Sequence, residues 1–447
     1  MPGKKSIPAI IAVALSALLY FILLFHTPRQ NFYQLIGLFA ALSGLYIYLV
    51  WYASREGIAL VLIAAIFFRQ IPFFSLDSLP ALSDDFFRFV WDGRLMVGGV
   101  NPFSALPESY INNPELATNL HLTPELFTGL NSKTYFTIYP PVLQGIFYLA
   151  SFIFPQSLPG AVQVMRLFIV LAEAGSIYLM ILLLRRFQQD DWQIALYALN
   201  PLVIVELTGN LHFEALMIFF LLWALWLLVE GKWIGSSLPF ALAVGSKLLP
   251  LMLLPLLIRR LGWQKTMIYG FLVAAFTGVL FIPFFDRETF INLSRSIDLY
   301  FHKFEFNASL YYLIRWVGYR FTGYNVIQII GKYLAMVSAL AILIYSYREK
   351  SPGWKNLPES FVWVFLFYFS LTSIVHPWYV TSLVAFSVFS RLRFPIAWSF
   401  VVMLSYYTYR TTAYEENLWL AALEYVIVAI WIFFEVREQR FVKKDTL

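Results

Sequence analysis

Cysteine is absent from this 447-residue sequence, which excludes a disulfide framework, a thiol nucleophile and a thiolate metal site. Charged residues are also scarce: they form 13% of the chain, whereas about a quarter is usual in a soluble domain. The sequence contains no Gly-rich phosphate loop, GxSxG motif, HExxH motif or paired histidine spacing. Its motifs therefore do not indicate a nucleotide-driven pump.

Apolar residues are abundant instead. Hydrophobic residues form 60% of the chain and aromatic residues 19%. A soluble core could not hold so many apolar side chains, so a soluble enzyme, a disordered protein and a nucleic-acid reader are excluded. The formal net charge of +6 is attributed to basic residues of tails and loops that set the membrane topology. No nucleic-acid partner is expected.

Apolar runs recur along the chain, and a membrane-spanning helix needs about 20 such residues. The first run, residues 7–25, follows Lys4 and Lys5 but is too long for a signal peptide and has no small-residue cleavage site after it. It is predicted to be an uncleaved anchor. The whole pattern predicts an all-α polytopic membrane protein, a single integral domain over 1–447 with about 12 to 14 transmembrane segments.

Two long hydrophilic stretches interrupt the apolar runs. Residues 75–137 carry seven acids against three bases, which favours the outer side because cytoplasmic loops are enriched in Lys and Arg. Residues 286–325 are predicted to form a second outer loop. The tails, 1–6 and 436–447, are predicted to be cytoplasmic.

The topology of the middle of the chain has two solutions. Strict alternation places Arg185 and Arg186 outside and the turn at 209–214 inside, whereas the positive-inside rule prefers the reverse. The favoured hypothesis makes 161–184 a broken or re-entrant segment and breaks 234–258 near Lys247 and Pro250. It places the acidic loop and the 209–214 turn in one compartment.

The strongest polar string is SDDFFRFVWDGRLMVGGVNPF, residues 83–103. Ser83 is a candidate helix cap, and helical spacing then puts Asp85, Arg88 and Asp92 on one face. The string predicts an interface helix that turns polar groups to a cavity. The alternative is an amphipathic surface helix with solvated acids.

Four further strings combine polar and apolar residues. They are YPP at 139–141, NPLVIVELTGNLHFEAL at 200–216, VGSKLLPLMLLP at 244–255 and HPWYV at 376–380. Charged groups within apolar spans are costly and mark a function or a buried pair. Each also has a structural alternative: a helix start, hydrogen bonds of a turn, snorkelling of Lys247 or a structural histidine. Arg166 and Glu173 are interpreted as a structural ion pair.

Taken in this order, the strings resemble the GT-C superfamily of membrane glycosyltransferases. The similarity is greatest to bacterial polyprenol-phosphate-mannose-dependent mannosyltransferases and runs from about residue 83 to residue 379. The resemblance implies a GT-C-like helical bundle with a large outer loop that carries interface helices. It also implies a multi-pass protein of the bacterial inner membrane, with its active site on the outer face and in contact with membrane lipids.

The resemblance implies an inverting transfer of a hexose, expected to be mannose, from a polyprenyl-phosphate donor to a lipid or glycan acceptor. The catalytic acid of the superfamily corresponds to Asp85, before Phe86-Phe87-Arg88-Phe89, with Asp84 as the open alternative. The candidates for holding the donor phosphate are Arg88, Lys247 and His376. The candidates for substrate binding are Asp92, Tyr139, Asn210, His212, Glu214, Trp378 and Tyr379.

No cofactor is certain from the sequence. Some members of the superfamily need a divalent metal, for which Asp84, Asp92 and His212 are weak candidates as ligands. The rival interpretation is a transporter or lipid flippase, which would also have buried charges and broken helices. The absence of a detectable inverted repeat and the concentration of acids in one outer loop argue against it.

Overall fold

The computed structural model describes residues 6–302 and 304–444, so the predicted N-terminal tail before residue 6 and the last three residues of the C-terminal tail lie outside the described chain. The predicted all-α class is confirmed. Strand pairing in the described ranges is limited to an isolated β-bridge between Phe306 and Ile374.

The α-helices follow one another closely along the chain. In order, they are α1 (Ile7–His26), α2 (Phe32–Glu56), α3 (Ala59–Gln70), α4 (Asp85–Val97), α5 (Pro107–Ile111), α6 (Pro114–Asn119), α7 (Pro124–Gly129), α8 (Pro141–Ile153), α9 (Leu158–Arg186), α10 (Ala195–Ala198), α11 (Pro201–Val203), α12 (Glu214–Val229), α13 (Trp233–Ser246), α14 (Ile258–Leu261), α15 (Trp263–Phe281), α16 (Arg287–His302), α17 (Leu310–Thr322), α18 (Ile327–Arg348), α19 (Leu357–Leu371), α20 (Pro377–Ser387), α21 (Phe394–Val401) and α22 (Leu418–Lys444).

The polytopic membrane character is confirmed, but the long apolar helices are fewer than the predicted segments. In the described chain, six helices are long and apolar enough to cross a membrane: Ile7–His26, Phe32–Glu56, Leu158–Arg186, Trp263–Phe284, Ile327–Arg348 and Leu418–Glu438. A bent pair, Pro201–Gly209 with Glu214–Val229, makes a seventh if it counts as one span. Other predicted segments form shorter or irregular helices, such as the 3₁₀ run Leu249–Leu257 with its two prolines.

The positions of the helix breaks correct part of the predicted topology. The segment 161–184 lies within the continuous helix α9, so the prediction of a broken or re-entrant segment there is wrong. Its interior holds no proline, and its charged residues have buried partners, so nothing interrupts the helix. The break lies instead between Gly209 and Glu214, where the helices bend by 112°. The predicted break in 234–258 is confirmed, because α13 ends at Ser246.

Packing divides the chain into two compact units. The terminal unit comprises Met1–Phe68, Met180–Glu206 and Phe304–Leu447. The central unit comprises Arg69–Leu179 and Leu207–Lys303. The acidic loop, the 209–214 turn and Lys247 therefore belong to the central unit, and His376 belongs to the terminal unit.

Close packing of α4 on α8 fixes the acidic loop in the central unit. Gly93 of α4 lies so near α8 that an added Cβ would come within 2.2 Å of the Phe147 carbonyl oxygen and 2.3 Å of Ser151 Oγ. One turn earlier, the ring of Phe89 stacks on the ring of Phe147 with centroids 4.7 Å apart. Only glycine allows the two helix backbones to approach so closely.

Glu173 of α9 forms a buried ion pair in the central unit, but not with its predicted partner. Arg69 Nη2 lies 2.7 Å from Glu173 Oε2, and both side chains are almost fully buried. The predicted pairing of Arg166 with Glu173 is wrong, since seven residues separate them by about 10 Å along the helix. Arg166 instead contacts the backbone of the 209–214 turn.

In the terminal unit, Asn307 is the centre of a polar network. Its backbone N–H donates to Glu416 Oε2 (2.7 Å), and its side-chain Nδ2 lies 3.2 Å from both carboxylate oxygens of Glu424. Trp398 Nε1 donates to Glu424 Oε1 at 2.7 Å. This network joins the segment before α17 to α21 and α22 and satisfies two partly or fully buried carboxylates.

Candidate active site

Asp85 occupies the first position of α4, where a carboxylate is favoured by the partial positive charge of the helix N-terminus. Its backbone N–H donates to Ser83 Oγ at 3.3 Å. The prediction that Ser83 caps the helix is nevertheless wrong, because Asp84 occupies the N-cap position and Ser83 lies one residue before it. The Nδ2 group of Asn131 donates to Asp85 Oδ1 (2.8 Å) and to Asp84 Oδ1 (3.0 Å). One amide therefore orients both carboxylates, while the Asp85 side chain keeps 21% of its surface exposed.

His212 faces Asp85 from the turn between the bent helices. Its Nε2 lies 3.8 Å from Asp85 Oδ2, within ion-pair range when the imidazole is protonated. The turn reaches this position through Leu211, whose φ of 67° lies in the left-handed region. The acidic loop and the GNLHFE turn thus lie together in the central unit.

Arg166 holds the turn that carries His212. Its Nε donates to the Thr208 carbonyl at 3.1 Å, and its Nη2 lies 3.4 Å from the Gly209 carbonyl. Both carbonyls belong to the π-helical run Ile204–Gly209, where the ordinary helical hydrogen-bond pattern is altered. The buried guanidinium therefore satisfies backbone acceptors at the bend.

The surroundings of Asp85 favour its protonated form. Burial raises the pKa of the Asp85 carboxyl, and the negative charges of Asp84 and Glu214 add to this rise. His212 and the Asn131 amide oppose it by stabilising the carboxylate. An acid whose pKa is raised in this way is a stronger base once it is ionised.

Arg88 and Asp92 form a structural pair one helical turn apart. Arg88 Nε lies 2.7 Å from Asp92 Oδ1, and Arg88 Nη1 donates to the carbonyls of Ser132 and Tyr135. The shared face predicted for Asp85, Arg88 and Asp92 is thus confirmed for this pair. The guanidinium is thus engaged by Asp92 and two loop carbonyls, and the pKa of Asp85 is raised, mainly by its burial.

Asp92 is an anchor of the loop. Its Oδ2 accepts hydrogen bonds from Thr137 Oγ1 (2.5 Å) and Gln144 Nε2 (3.1 Å), and its side chain has no exposed surface. These contacts tie the end of the acidic loop to α8. The predicted role of Asp92 in substrate binding stays a prediction, and in this structure the carboxylate is fully engaged by protein groups.

Lys247 and Glu214 form an ion pair between Lys247 Nζ and Glu214 Oε1. Lys247 follows the end of α13, and its side chain is 28% exposed, whereas that of Glu214 is 5% exposed. Glu214 also acts electrostatically on Asp85. The ammonium group therefore belongs to the same cluster as the candidate base.

Four aromatic rings from α4, α8 and the two polar strings pack against one another near this cluster. Phe89 contacts Tyr139 (4.9 Å between centroids) and Phe213 (5.4 Å), and Phe147 contacts Tyr139 and Phe213 at similar distances. Tyr139 is half-buried. Asn210, also predicted to bind substrate, is almost fully buried within the turn.

The HPWY residues form an aromatic stack in the terminal unit. The imidazole of His376 stacks on Trp378 with centroids 4.3 Å apart and on Phe306 at 4.7 Å, and Tyr379 contacts it edge-on. Pro377 begins α20 directly after His376. The phosphate-binding role predicted for His376 and the substrate-binding roles of its two neighbours stay predictions.

Three residues that hold the candidate site in the central unit are not predicted by the sequence. Asn131 has no local signal, since it meets the two aspartates across more than 40 residues of loop. Thr137 belongs to the same loop. Gln144 had a signal: it is a polar residue inside the apolar helix PVLQGIFYLASFI.

Within residues 6–302 and 304–444, no group of three or more His, Asp or Glu side chains is placed to hold a metal ion. Of the three residues predicted as weak candidates for metal ligands, Asp92 is already engaged by Arg88, Thr137 and Gln144. The remaining candidates, Asp84 and His212, belong to the Asp85 cluster.

The part of the chain that contains the Asp85 cluster matches a known protein family. Residues 23–261, more than half of the chain, match the model of the MptA_B family, described as Alpha-(1->6)-mannopyranosyltransferase, N-terminal domain. The match includes Asp85, His212 and Lys247 but ends before His376. No curated protein matches the chain with significant similarity.

Proposed function

Because the chain belongs to the MptA_B family of alpha-(1->6)-mannopyranosyltransferases, and is therefore a membrane enzyme that transfers mannose, we propose that its donor is a polyprenyl-phosphate mannose. The acceptor is a hydroxyl group of a glycan or lipid on the non-cytoplasmic face. Family membership favours an enzyme over the transporter or flippase considered from the sequence.

One observation supports Asp85 as the general base. Its carboxylate is partly exposed, and it is held between Asn131 Nδ2 at 2.8 Å and His212 Nε2 at 3.8 Å at the start of α4. A general base needs a fixed orientation and access to the proton that it removes. Asp85 combines both, whereas Asp92 has no exposed surface.

The proposed reaction breaks the bond between the anomeric carbon of mannose and the phosphate oxygen of the donor. The acceptor oxygen forms the new bond to this carbon, and its proton passes to Asp85. Polyprenyl phosphate leaves as an anion, so protonation of the leaving group is not required. An α-linked product formed with inversion requires a β-linked donor.

The negative charge of the leaving phosphate is stabilised by a cation, for which Lys247 is the strongest candidate. Its ammonium group lies in the cluster with Glu214 and retains partial exposure. Protonated His212 would add positive charge beside Asp85. Arg88 is a weaker candidate, because it already binds Asp92 and two loop carbonyls.

The proposal is tested by incubating the purified chain with radiolabelled polyprenyl-phosphate mannose and a manno-oligosaccharide acceptor. We expect labelled mannose to appear in the oligosaccharide with wild-type protein and to fall by about 10²- to 10⁴-fold with Asp85→Asn. A β-linked donor should react and its α-anomer should not. Undiminished transfer by Asp85→Asn would contradict the assignment of Asp85 as the general base. Transfer from the α-anomer by the wild type would contradict the inverting mechanism.

A further inference from the structure

A polar cavity lies in the terminal unit, in the segment that links Val402–Arg410 to α22. Its volume is about 380 Å³, within the range of about 300–1,000 Å³ usual for small-molecule sites. The lining residues include Tyr407, Arg410, Glu415, Glu416, Asn417 and Trp419. They lie beyond the range that matches the family, and the mechanism above does not use them.

The walls of this cavity combine aromatic faces with hydrogen-bonding groups. Trp419 is 85% exposed, whereas one face of the Tyr407 ring is covered by the guanidinium of Arg410, which lies 4.3 Å from the ring centroid. Glu415 and Glu416 add carboxylate acceptors, and Thr411 adds a hydroxyl group. A sugar ring presents apolar C–H faces and hydroxyl edges, and aromatic rings with nearby carboxylates match both.

Several groups in the walls are held in place by the protein. Glu416 accepts hydrogen bonds from the Asn307 backbone N–H at 2.7 Å and the Tyr312 hydroxyl at 2.6 Å. The Asn417 side chain caps α22 by accepting from the backbone N–H of Trp419 at 3.0 Å. A site whose groups are already oriented loses less entropy when its ligand binds.

The charges of the lining residues favour a neutral ligand over an anionic one. The lining includes two carboxylates, Glu415 and Glu416, and one guanidinium, Arg410. An excess of negative charge disfavours phosphate and other anions, whereas a neutral sugar accepts both carboxylates and guanidinium as partners.

We propose that this cavity is a binding site for neutral mannose residues of the acceptor glycan. The choice of mannose rests on the proposed function, whereas the carbohydrate class rests on the cavity itself. Such a site would retain a growing glycan by contacts with sugars other than the one that reacts.

The test measures binding of α-1,6-linked mannotetraose to the full-length protein in detergent, by isothermal titration calorimetry and saturation-transfer NMR. We expect Trp419→Ala to weaken binding by about 2- to 12-fold, the range for loss of an aromatic contact. Glu415→Gln should also weaken it, because a charged acceptor is lost. Trp51→Ala is the matched control, since Trp51 is also exposed (55%) but does not line the cavity.

The binding test is separable from the catalytic one. The binding test changes only residues of the cavity, whereas the catalytic test changes Asp85, so one test can fail while the other succeeds. The inference is overturned if wild-type protein does not bind the oligosaccharide, or if Trp419→Ala and Glu415→Gln both bind it normally. It is also overturned if Trp51→Ala weakens binding as much as Trp419→Ala does. Because Trp419 and Glu415 are exposed, size-exclusion profiles and melting temperatures should match those of the wild type.

Discussion

Two adjacent aspartates share one amide donor at the start of α4, yet we expect them to differ in function. Asn131 binds both, and Asp85 lies within 3.8 Å of His212. Asp84 is the residue before the helix, whereas Asp85 is the first residue of α4 and is the carboxylate that His212 faces. The assignment of the base to Asp85 therefore makes a sharp prediction about single substitutions.

Asp85→Asn should lower the turnover number by about 10²- to 10⁴-fold, whereas Asp84→Asn should have a much smaller effect. Both changes are nearly isosteric and keep an oxygen that can accept from Asn131. The measurement is mannose transfer at matched protein levels in detergent. An inactive Asp84→Asn with an active Asp85→Asn would move the base to Asp84.

The raised pKa of Asp85 predicts two pH effects. Only the carboxylate accepts a proton, so kcat/KM should fall as the pH drops through a value above 3.8, the ordinary value for aspartate. Because the pKa is higher in the folded state, the contribution of Asp85 to stability is complete below 3.8 and is lost as the pH rises through the raised pKa. The melting temperature of the wild type should therefore decrease relative to that of Asp85→Asn over this interval. A constant difference in melting temperature would contradict the raised pKa.

Lys247→Met should weaken donor use by roughly 1.5–3 kcal/mol if the ammonium binds the phosphate. Lys265→Met is the control, since it removes an exposed lysine of α15. The measurement is the apparent KM for the polyprenyl-phosphate donor. The double variant Lys247→Met/Glu214→Gln separates the roles: if Lys247 serves only to neutralise Glu214, the double variant recovers normal donor use.

At the scale of helices, the contact of α4 with α8 determines how the acidic loop is held. Gly93 has no space for a Cβ beside the Phe147 carbonyl, and backbone cannot move aside as a flexible side chain can. Gly145, on α8 itself, has no atom within 4 Å of its added Cβ. The same substitution should therefore have opposite effects on these two glycines.

Gly93→Ala should lower the free energy of unfolding by about 1–3 kcal/mol, as overpacking does, and should displace the helix that carries Asp85. Gly145→Ala should be neutral or stabilising by up to about 1 kcal/mol, because alanine favours the helical backbone. Thermal melting in detergent measures both. Equal melting temperatures for the two variants would contradict the close approach of α4 and α8.

Features that depend on local spacing could be predicted from the sequence, whereas contacts between distant segments could not. The Arg88–Asp92 pair follows from helical periodicity, and the break beside Lys247 follows from the polar residue and prolines in its run. The bridge from Asn131 to Asp85 joins separate parts of a loop that has no periodic pattern. The continuity of α9 was missed because a break was placed there to satisfy the positive-inside rule for Arg185 and Arg186, and that rule does not show which segment of a chain is bent.

At the scale of the whole molecule, helix α12 relates the candidate active site to the membrane topology. Helix α12 begins at Glu214, within the cluster, and sixteen residues carry it about 24 Å away toward Lys232. The positive-inside rule favours the cytoplasm for Lys232 and the outside for the acidic loop. The proposed outer-face site thus implies that α12 points inward from the site.

Cysteine labelling tests this orientation cleanly, because the chain has no cysteine of its own. In intact cells, an impermeant thiol reagent should label Asn119→Cys but not Lys232→Cys. Both positions are exposed, so accessibility within the fold is matched. After permeabilisation, both should react. Labelling of Lys232→Cys alone in intact cells would place the site on the cytoplasmic face.

The buried pair of Arg69 and Glu173 has a consequence for the evolution of this chain. Loss of one partner leaves an isolated charge in the interior and costs about 3–5 kcal/mol, whereas joint replacement by well-packed apolar residues is often neutral. Neither position can thus drift by itself, although the two are 104 residues apart. A lineage can leave this charged state only by a coordinated double change, so the ancestral choice at one position restricts every later choice at the other.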